Sequence, residues 1–226
     1  MMAARVHPNV ATPSLGQPPA AAADDEPVTL TVWRKSLLFN CKGFTVFDAR
    51  GNLVYRVDTY ASDSRAEVVL MDAAGRPVLT VRRRKLIGLG SDQCLVYPGE
   101  DTRRMPPLCA VKRTAAHYMR GNGSGGAKSM AHVVPCSGGA GAGGAKSGGG
   151  GYEVEGSYLR RCCTVYDERR RAVAEVRPKE AVGSDVFRLV VQPGMEVSLA
   201  MGVVLALDQM FGKPSLLRSW SFPSQS

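Results

Sequence analysis

His132 and Cys136, in "HVVPC", have a spacing acceptable for two ligands of one metal ion. Imidazole nitrogen and thiolate sulfur are both good zinc donors, but a structural site takes four ligands and no second pair accompanies these two. The other histidines, His7 and His117, also lie in or beside low-complexity segments, where a preorganised site is hard to hold. The chain carries no Walker loop, no G-x-S-x-G turn and no EF-hand calcium loop. No catalytic residue, metal or cofactor is therefore expected, and the chain reads as a protein without enzymatic activity.

Cysteine chemistry points the same way. The six cysteines are Cys41, Cys94, Cys109, Cys136, Cys162 and Cys163. The N-terminus "MMAARVHPNVATPSLGQPPAAAADDEP" has no apolar core of a signal peptide, so the thiols are expected to be reduced and mostly buried. Cys162 and Cys163 are expected on one strand, facing opposite sides. The expected location is intracellular: cytoplasm, membrane surface or nucleus.

Cations carry the remaining chemistry. With 29 Lys+Arg against 20 Asp+Glu, the formal charge of +9 favours anionic partners and says nothing about fold. In "VLTVRRRK" the alternation of a strand puts Leu79 and Val81 on one face and Thr80, Arg82 and Arg84 on the other. Arg177 and Lys179 hold matching positions in a second copy described below, so Arg82, Arg84, Arg177 and Lys179 form the candidate anionic-ligand patch. Lys85, Arg103, Arg104, Lys112, Arg113, Arg160 and Arg161 extend the set. The bland alternative is a solvated face with cations guarding strand ends.

These residues must be held by strands. "FTVFDARGNLVYRV" (44–57), "VVLMDAAGRPVLTV" (68–81) and "CTVYDERRRAVAEV" (163–176) share one plan: apolar strand, Asp, short polar turn, apolar strand. Asp with Gly three places later fits a type I turn followed by a left-handed residue; in the third copy Arg170 replaces the Gly, leaving that turn's geometry less certain. Residues 72–99 also lie over 167–194 in one gapless register, matching Asp72 with Asp167, Gly88 with Gly183 and Pro98-Gly99 with Pro193-Gly194. This predicts two related half-sheets. About a dozen strands follow from such runs, the last being "SLLRSWSF", and a closed barrel hides all their edges. Residues 1–26 are expected to be a disordered tail and 121–151 a flexible Gly-rich insert within a single domain spanning 27–222.

"EVSLAMGVVLALDQMF" (196–211) is apolar on every side of a helical wheel and so must be buried. Its length of ~24 Å falls short of the ~30 Å hydrocarbon layer. Glu196 and Asp208 limit the uncharged run to 197–207. No transmembrane segment is expected; the helix belongs inside the barrel, ending where Gly212 suits the left-handed C′ position. The predicted fold is mainly β: a closed antiparallel barrel of about twelve strands around a central C-terminal apolar helix.

That architecture resembles the tubby C-terminal-like fold. "LTVWRKSLLF…GFTVFDARGNLVYRVDTYAS", "VVLMDAAGRPVLTVRRRKL" and "VSLAMGVVLALDQMF" resemble the plant LURP-one-related proteins. The resemblance implies a non-enzymatic barrel associated with plant defence. Through its tubby and scramblase relatives it also implies phosphoinositide or acidic phospholipid headgroups as partners and a membrane-tethered regulatory role. A scramblase-like lipid-active protein is the alternative. Nucleic-acid binding ranks last, because no aromatic-plus-basic stacking platform accompanies the cations.

Overall fold

A computed structural model describes residues 26–38, 42–59, 67–85, 92–114, 129–136, 150–179, 183 and 185–212. Strands β1 (Val28–Trp33), β2 (Lys42–Phe47), β3 (Leu53–Thr59), β4 (Glu67–Asp72), β5 (Pro77–Lys85) and β6 (Asp92–Pro98) form one half of the sheet. Strands β7 (Cys109–Arg113), β8 (Ser129–Pro135), β9 (Tyr152–Ser157), β10 (Cys162–Tyr166), β11 (Ala172–Pro178) and β12 (Val186–Val191) form the other, and helix α1 (Val197–Phe211) follows. Each strand pairs antiparallel with its neighbours in the chain, and β1 zips onto β12 from Val28↔Val191 to Trp33↔Val186, closing the barrel. Closure pairs every strand on both sides and leaves no open edge.

Side-chain period sets inside from outside. Leu30 and Val32, Leu79 and Val81, and Phe187, Leu189 and Val191 point into the lumen and are 4% exposed or less. Helix α1 fills it: Met201, Val203, Val204, Leu205, Ala206 and Leu207 are no more than 2% exposed. A Cβ on Gly202 would meet Leu79 Cδ1 at 3.2 Å and Val96 Cγ1 at 3.4 Å, so this glycine lets the helix lie close against β5 and β6. Farther along, Cys94 Sγ lies 3.8 Å from the Ala206 carbonyl, and Arg83 donates to the Gln209 carbonyl at 2.8 Å. The helix therefore runs parallel to the odd-numbered strands. It enters at the rim carrying the β2–β3, β4–β5 and β10–β11 hairpins and ends at the rim where the odd strands finish.

The three Asp turns close alike. The N–H groups of Gly51, Gly75 and Arg170 donate to the carbonyls of Asp48, Asp72 and Asp167 at 3.1, 3.0 and 2.9 Å. Arg170 adopts φ 62°, close to the 84° of Gly75, so the third turn keeps the geometry despite its side chain. The left-handed conformation costs a non-glycine residue about 1 kcal/mol. Its contacts offset this: the Arg170 guanidinium donates to Glu153 and Glu155 at 2.8 and 2.9 Å and lies 4.6 Å from the Tyr166 ring centre. The gapless repeat also has a geometric meaning. It superposes β5–β6 on β11–β12, and the ring order places β5 and β11 six strands apart in either direction. The two copies stand half a turn apart about the barrel axis.

Three expectations need revision or fall elsewhere. The segment 121–151 is not one flexible insert: its middle is strand β8, which joins β7 to β9, with Met130, Ala131 and Val133 in the core. "SLLRSWSF" lies outside the described residues, as do 1–25, 115–128 and 137–149, so the twelfth strand is β8. Gly212 is not left-handed, with φ −58°. Space makes it a glycine, because a Cβ there would come within 2.3 Å of the Asp208 carbonyl oxygen.

Candidate functional site: a cationic rim

Lumen-facing and outward residues alternate along β5, so Arg82 and Arg84 point outward as expected, but their surroundings differ. The connection between β6 and β7 folds back over the outer face, where the Thr80 hydroxyl donates to the Gly99 carbonyl at 2.6 Å and Leu95, Tyr97 and Ala110 form a small outer cluster. Arg82 is drawn into this cover. It pairs with Glu67 at 3.2 Å, donates to the Thr102 hydroxyl and lies 5.8 Å from the Tyr97 ring centre. Arg84, beyond the cover, is exposed. On β11, Arg177 is exposed, holds Glu175 at 2.5 Å and stands opposite Arg188 of β12. Lys179, just past the strand, is half-buried.

These four residues do not form one patch. Strands β5 and β11 lie on opposite walls, yet being both odd-numbered they finish at the same rim, where the helix ends. Lys112 on β7 and Arg160 in the β9–β10 turn, both exposed, stand on the arc between them. The described acids of this rim are already held by arginines: Asp58 by Arg56 at 3.4 Å, Glu67 by Arg82, Asp92 by Arg83 at 2.6 Å, and Asp185 and Asp208 by Arg34 at 3.3 and 3.0 Å. Lys35, Arg84, Lys112, Arg160, Lys179 and Arg188 have no acidic partner among the described residues. The hairpin rim is instead mixed in sign, with exposed Glu168 and Glu196 as well as Arg50 and Arg169. Arg103 and Arg104 are exposed in the β6–β7 connection, Arg104 paired with Asp101 at 3.6 Å; the Lys85 side chain lies outside the described residues.

At the centre of the cationic rim the last turn of α1 is tied to the wall. Asp208 accepts from the Tyr158 hydroxyl at 3.1 Å and faces Arg34. Arg161, 5% exposed, stacks between Tyr158 and Phe187 at 4.3 and 4.6 Å. Burial pushes the Asp208 carboxyl above its ordinary range, with Arg34 opposing, and burial followed by the nearby Asp208 pushes the Tyr158 phenol well up. Arg34, Arg83 and Arg113, which lies 4.6 Å from the Phe211 ring centre, surround the helix C-terminus. Cations there complement the helix dipole. Beside them Arg113, Met130, Tyr158, Leu159, Met210 and Phe211 line a recess of about 190 Å³. An acid in the last turn of an apolar helix signals a buried partner, but nothing local in the sequence identifies it as Arg34.

The remaining candidates are dispersed. His132 is exposed on the outer face of β8 beside Lys112, and Cys136 follows the strand. Four residues of extended chain separate two side chains by ~13 Å, too far to share an ion. Among the described residues no group of three His, Cys, Asp or Glu side chains converges. Cys163 is buried and Cys162 exposed, facing opposite sides as expected, and all five described cysteines are unpaired. No helix among the described residues is long and apolar enough to cross a membrane.

Comparison with known proteins agrees with the architecture. The family model of LURP-one-related proteins matches residues 28–208, from the first residue of β1 to the helix carboxylate that holds Arg34. The chain belongs to the LURP-one-related family. Protein LURP-one-related 8 of Arabidopsis thaliana is 45% identical over 192 residues, covering 81% of this chain and 87% of the relative. Protein LURP-one-related 17 of the same plant is 39% identical, covering 81% and 83%. An X-ray structure of an Arabidopsis thaliana protein superposes with a TM-score of 0.55 at 23% identity, over 81% of this chain and 91% of that one, which supports the fold. The barrel, its closure and its central helix are thus those of a LURP-one-related protein.

Proposed function

We propose that this LURP-one-related protein is a non-enzymatic binding barrel that docks its cationic rim onto acidic phospholipid headgroups, phosphoinositides among them, as a membrane-tethered component of defence signalling. One observation carries the reading: at the rim where the helix ends, the described acids are held by arginines while Lys35, Arg84, Lys112, Arg160, Lys179 and Arg188 have no acidic partner among the described residues. A rim is the part of a barrel that meets a flat surface, so cations on opposite walls can bind the same bilayer although they share no patch. Each contributes ~1 kcal/mol near an anionic membrane, and tenfold in affinity is 1.4 kcal/mol. Replacing Arg84, Lys112, Arg160 and Lys179 together with Gln should weaken sedimentation with phosphatidylserine-containing vesicles by about two to three orders of magnitude. Added salt should weaken the wild type likewise. Equal binding by wild type and variant, insensitive to salt, would exclude the rim.

A further inference from the structure

Among the described residues, large apolar side chains are exposed at few places. Met105, Leu108 and Val134 lie on the side wall around β6–β8, and Val28 begins β1. Leu37, Leu38 and Leu159, at 55%, 39% and 50% exposure, all stand on the cationic rim. Single exposed leucines are ordinary, but the segments bearing these three are fastened from beneath.

In the β1–β2 connection, Ser36 is 4% exposed. Its hydroxyl donates to Asp58 and accepts the Leu38 N–H at 3.0 Å, while Thr45 donates to the Lys35 carbonyl at 2.7 Å. The chain turns inward at Ser36 and outward at both leucines. In the β9–β10 turn, the Arg161 N–H donates to the Tyr158 carbonyl at 3.0 Å. Tyr158 and Arg161, on either side of Leu159 and Arg160, are 1% and 5% exposed. A polar residue is buried while a leucine beside it faces water, the reverse of the ordinary preference, and this occurs in both segments. The two are also joined: Arg34, just before the first, and Tyr158, in the second, meet on one oxygen of Asp208 at 3.0 and 3.1 Å. Arg160 follows Leu159 directly in sequence, and Lys35 stands two residues before Leu37.

We infer that the protein seats on an acidic bilayer end-on, with Leu37, Leu38 and Leu159 inserted below the headgroups that the rim cations hold. Charge complementarity selects a bilayer, since leucines ringed by cations match anionic headgroups over hydrocarbon. The inference rests on the headgroup reading proposed above and adds an apolar anchor to it. Charge contacts between exposed groups fade as the Debye length shrinks to ~3 Å at 1 M salt; inserted leucines do not depend on them.

The test uses full-length protein and vesicles of phosphatidylcholine and phosphatidylserine in equal parts, sedimented at low salt and at ~1 M NaCl. The wild type should bind at low salt and keep a measurable fraction bound at high salt. The triple substitution Leu37→Ser, Leu38→Ser, Leu159→Ser should keep the wild-type thermal midpoint and remain bound at low salt, with affinity lowered about tenfold per leucine. It should release completely at high salt. In a Trp33→Phe, Trp220→Phe background, the fluorescence of Leu38→Trp or Leu159→Trp should be quenched by brominated acyl chains. Wild-type and triple variant equally bound at both salts, or Trp unquenched on bound protein, overturns insertion and leaves the headgroup reading standing. Failure of the wild type to bind at low salt overturns the headgroup reading itself. A wild-type dimer that the triple variant dissociates, seen by sedimentation equilibrium without vesicles, assigns the leucines to a second copy and also overturns insertion.

Discussion

At the scale of single residues, burial decides which side chains are available for chemistry. Burial pushes the thiols of Cys94, Cys109 and Cys163 up to about 12, whereas Cys162 is exposed next to Arg161. The thiolate is the reactive form, so iodoacetamide at pH 8 should modify Cys162 within minutes and leave Cys94, Cys109 and Cys163 protected, read by peptide mapping. Equal labelling of the buried three would contradict the packing. Asp208 makes a second case. Its carboxyl is raised above the ordinary 3.8 by burial, against the opposing pull of Arg34. An acid raised in the native state keeps its proton at pH values where the unfolded chain has lost it, so stability falls as pH rises between the two values. The stability difference between wild type and Asp208→Asn, from urea unfolding, should therefore be largest in the wild type's favour below pH 3.8. It should decline as pH rises through the raised value and then level off. A difference independent of pH would mean that Asp208 is not buried as described. The sequence marks Asp208 as an interruption in an apolar run, but not its partners, because Arg34 and Tyr158 reach it only after the ring has closed.

Elements were legible in proportion to how strongly their neighbours punctuate them. Eleven strands follow from alternation bounded by Asp, Gly or Pro turns, and the third Asp turn folds like the first two although Arg170 stands where glycine is expected. Strand β8 is flanked by glycine-rich sequence that dilutes any periodic signal, so composition hides it while barrel closure requires it. The helix was legible because no polar stripe relieves it, and the lumen is where such a helix can go. Val204 is 2% exposed in the middle of that helix. Val204→Asp should therefore abolish soluble folding, because an unpaired charge in the lumen costs several kcal/mol against a total stability of about 5–15 kcal/mol. A variant that remained soluble, with native circular dichroism and an unchanged thermal midpoint, would place the helix elsewhere.

For the whole molecule, the internal repeat foretold two equivalent cation pairs, but not that the ring would set them on opposite walls of one rim. Proximity in a closed barrel depends on strand count as well as on strand identity, and the hidden β8 is one of the strands that must be counted. With it in place the repeat becomes a half-turn symmetry, and the cations become a ring segment around the outside of one end. Closure has a further consequence for how the chain is made. The first strand is fastened to the last, and the helix that fills the lumen follows the last strand. At a synthesis rate of about 5–20 residues per second, β1 pairs early with β2 but waits on the order of ten seconds for β12. Until β12 emerges the nascent sheet has two open edges, and until α1 follows its apolar wall has nothing against it. A protein with no edge once finished thus exposes two throughout its synthesis, and its demand on the cell's folding machinery falls before the final helix is released.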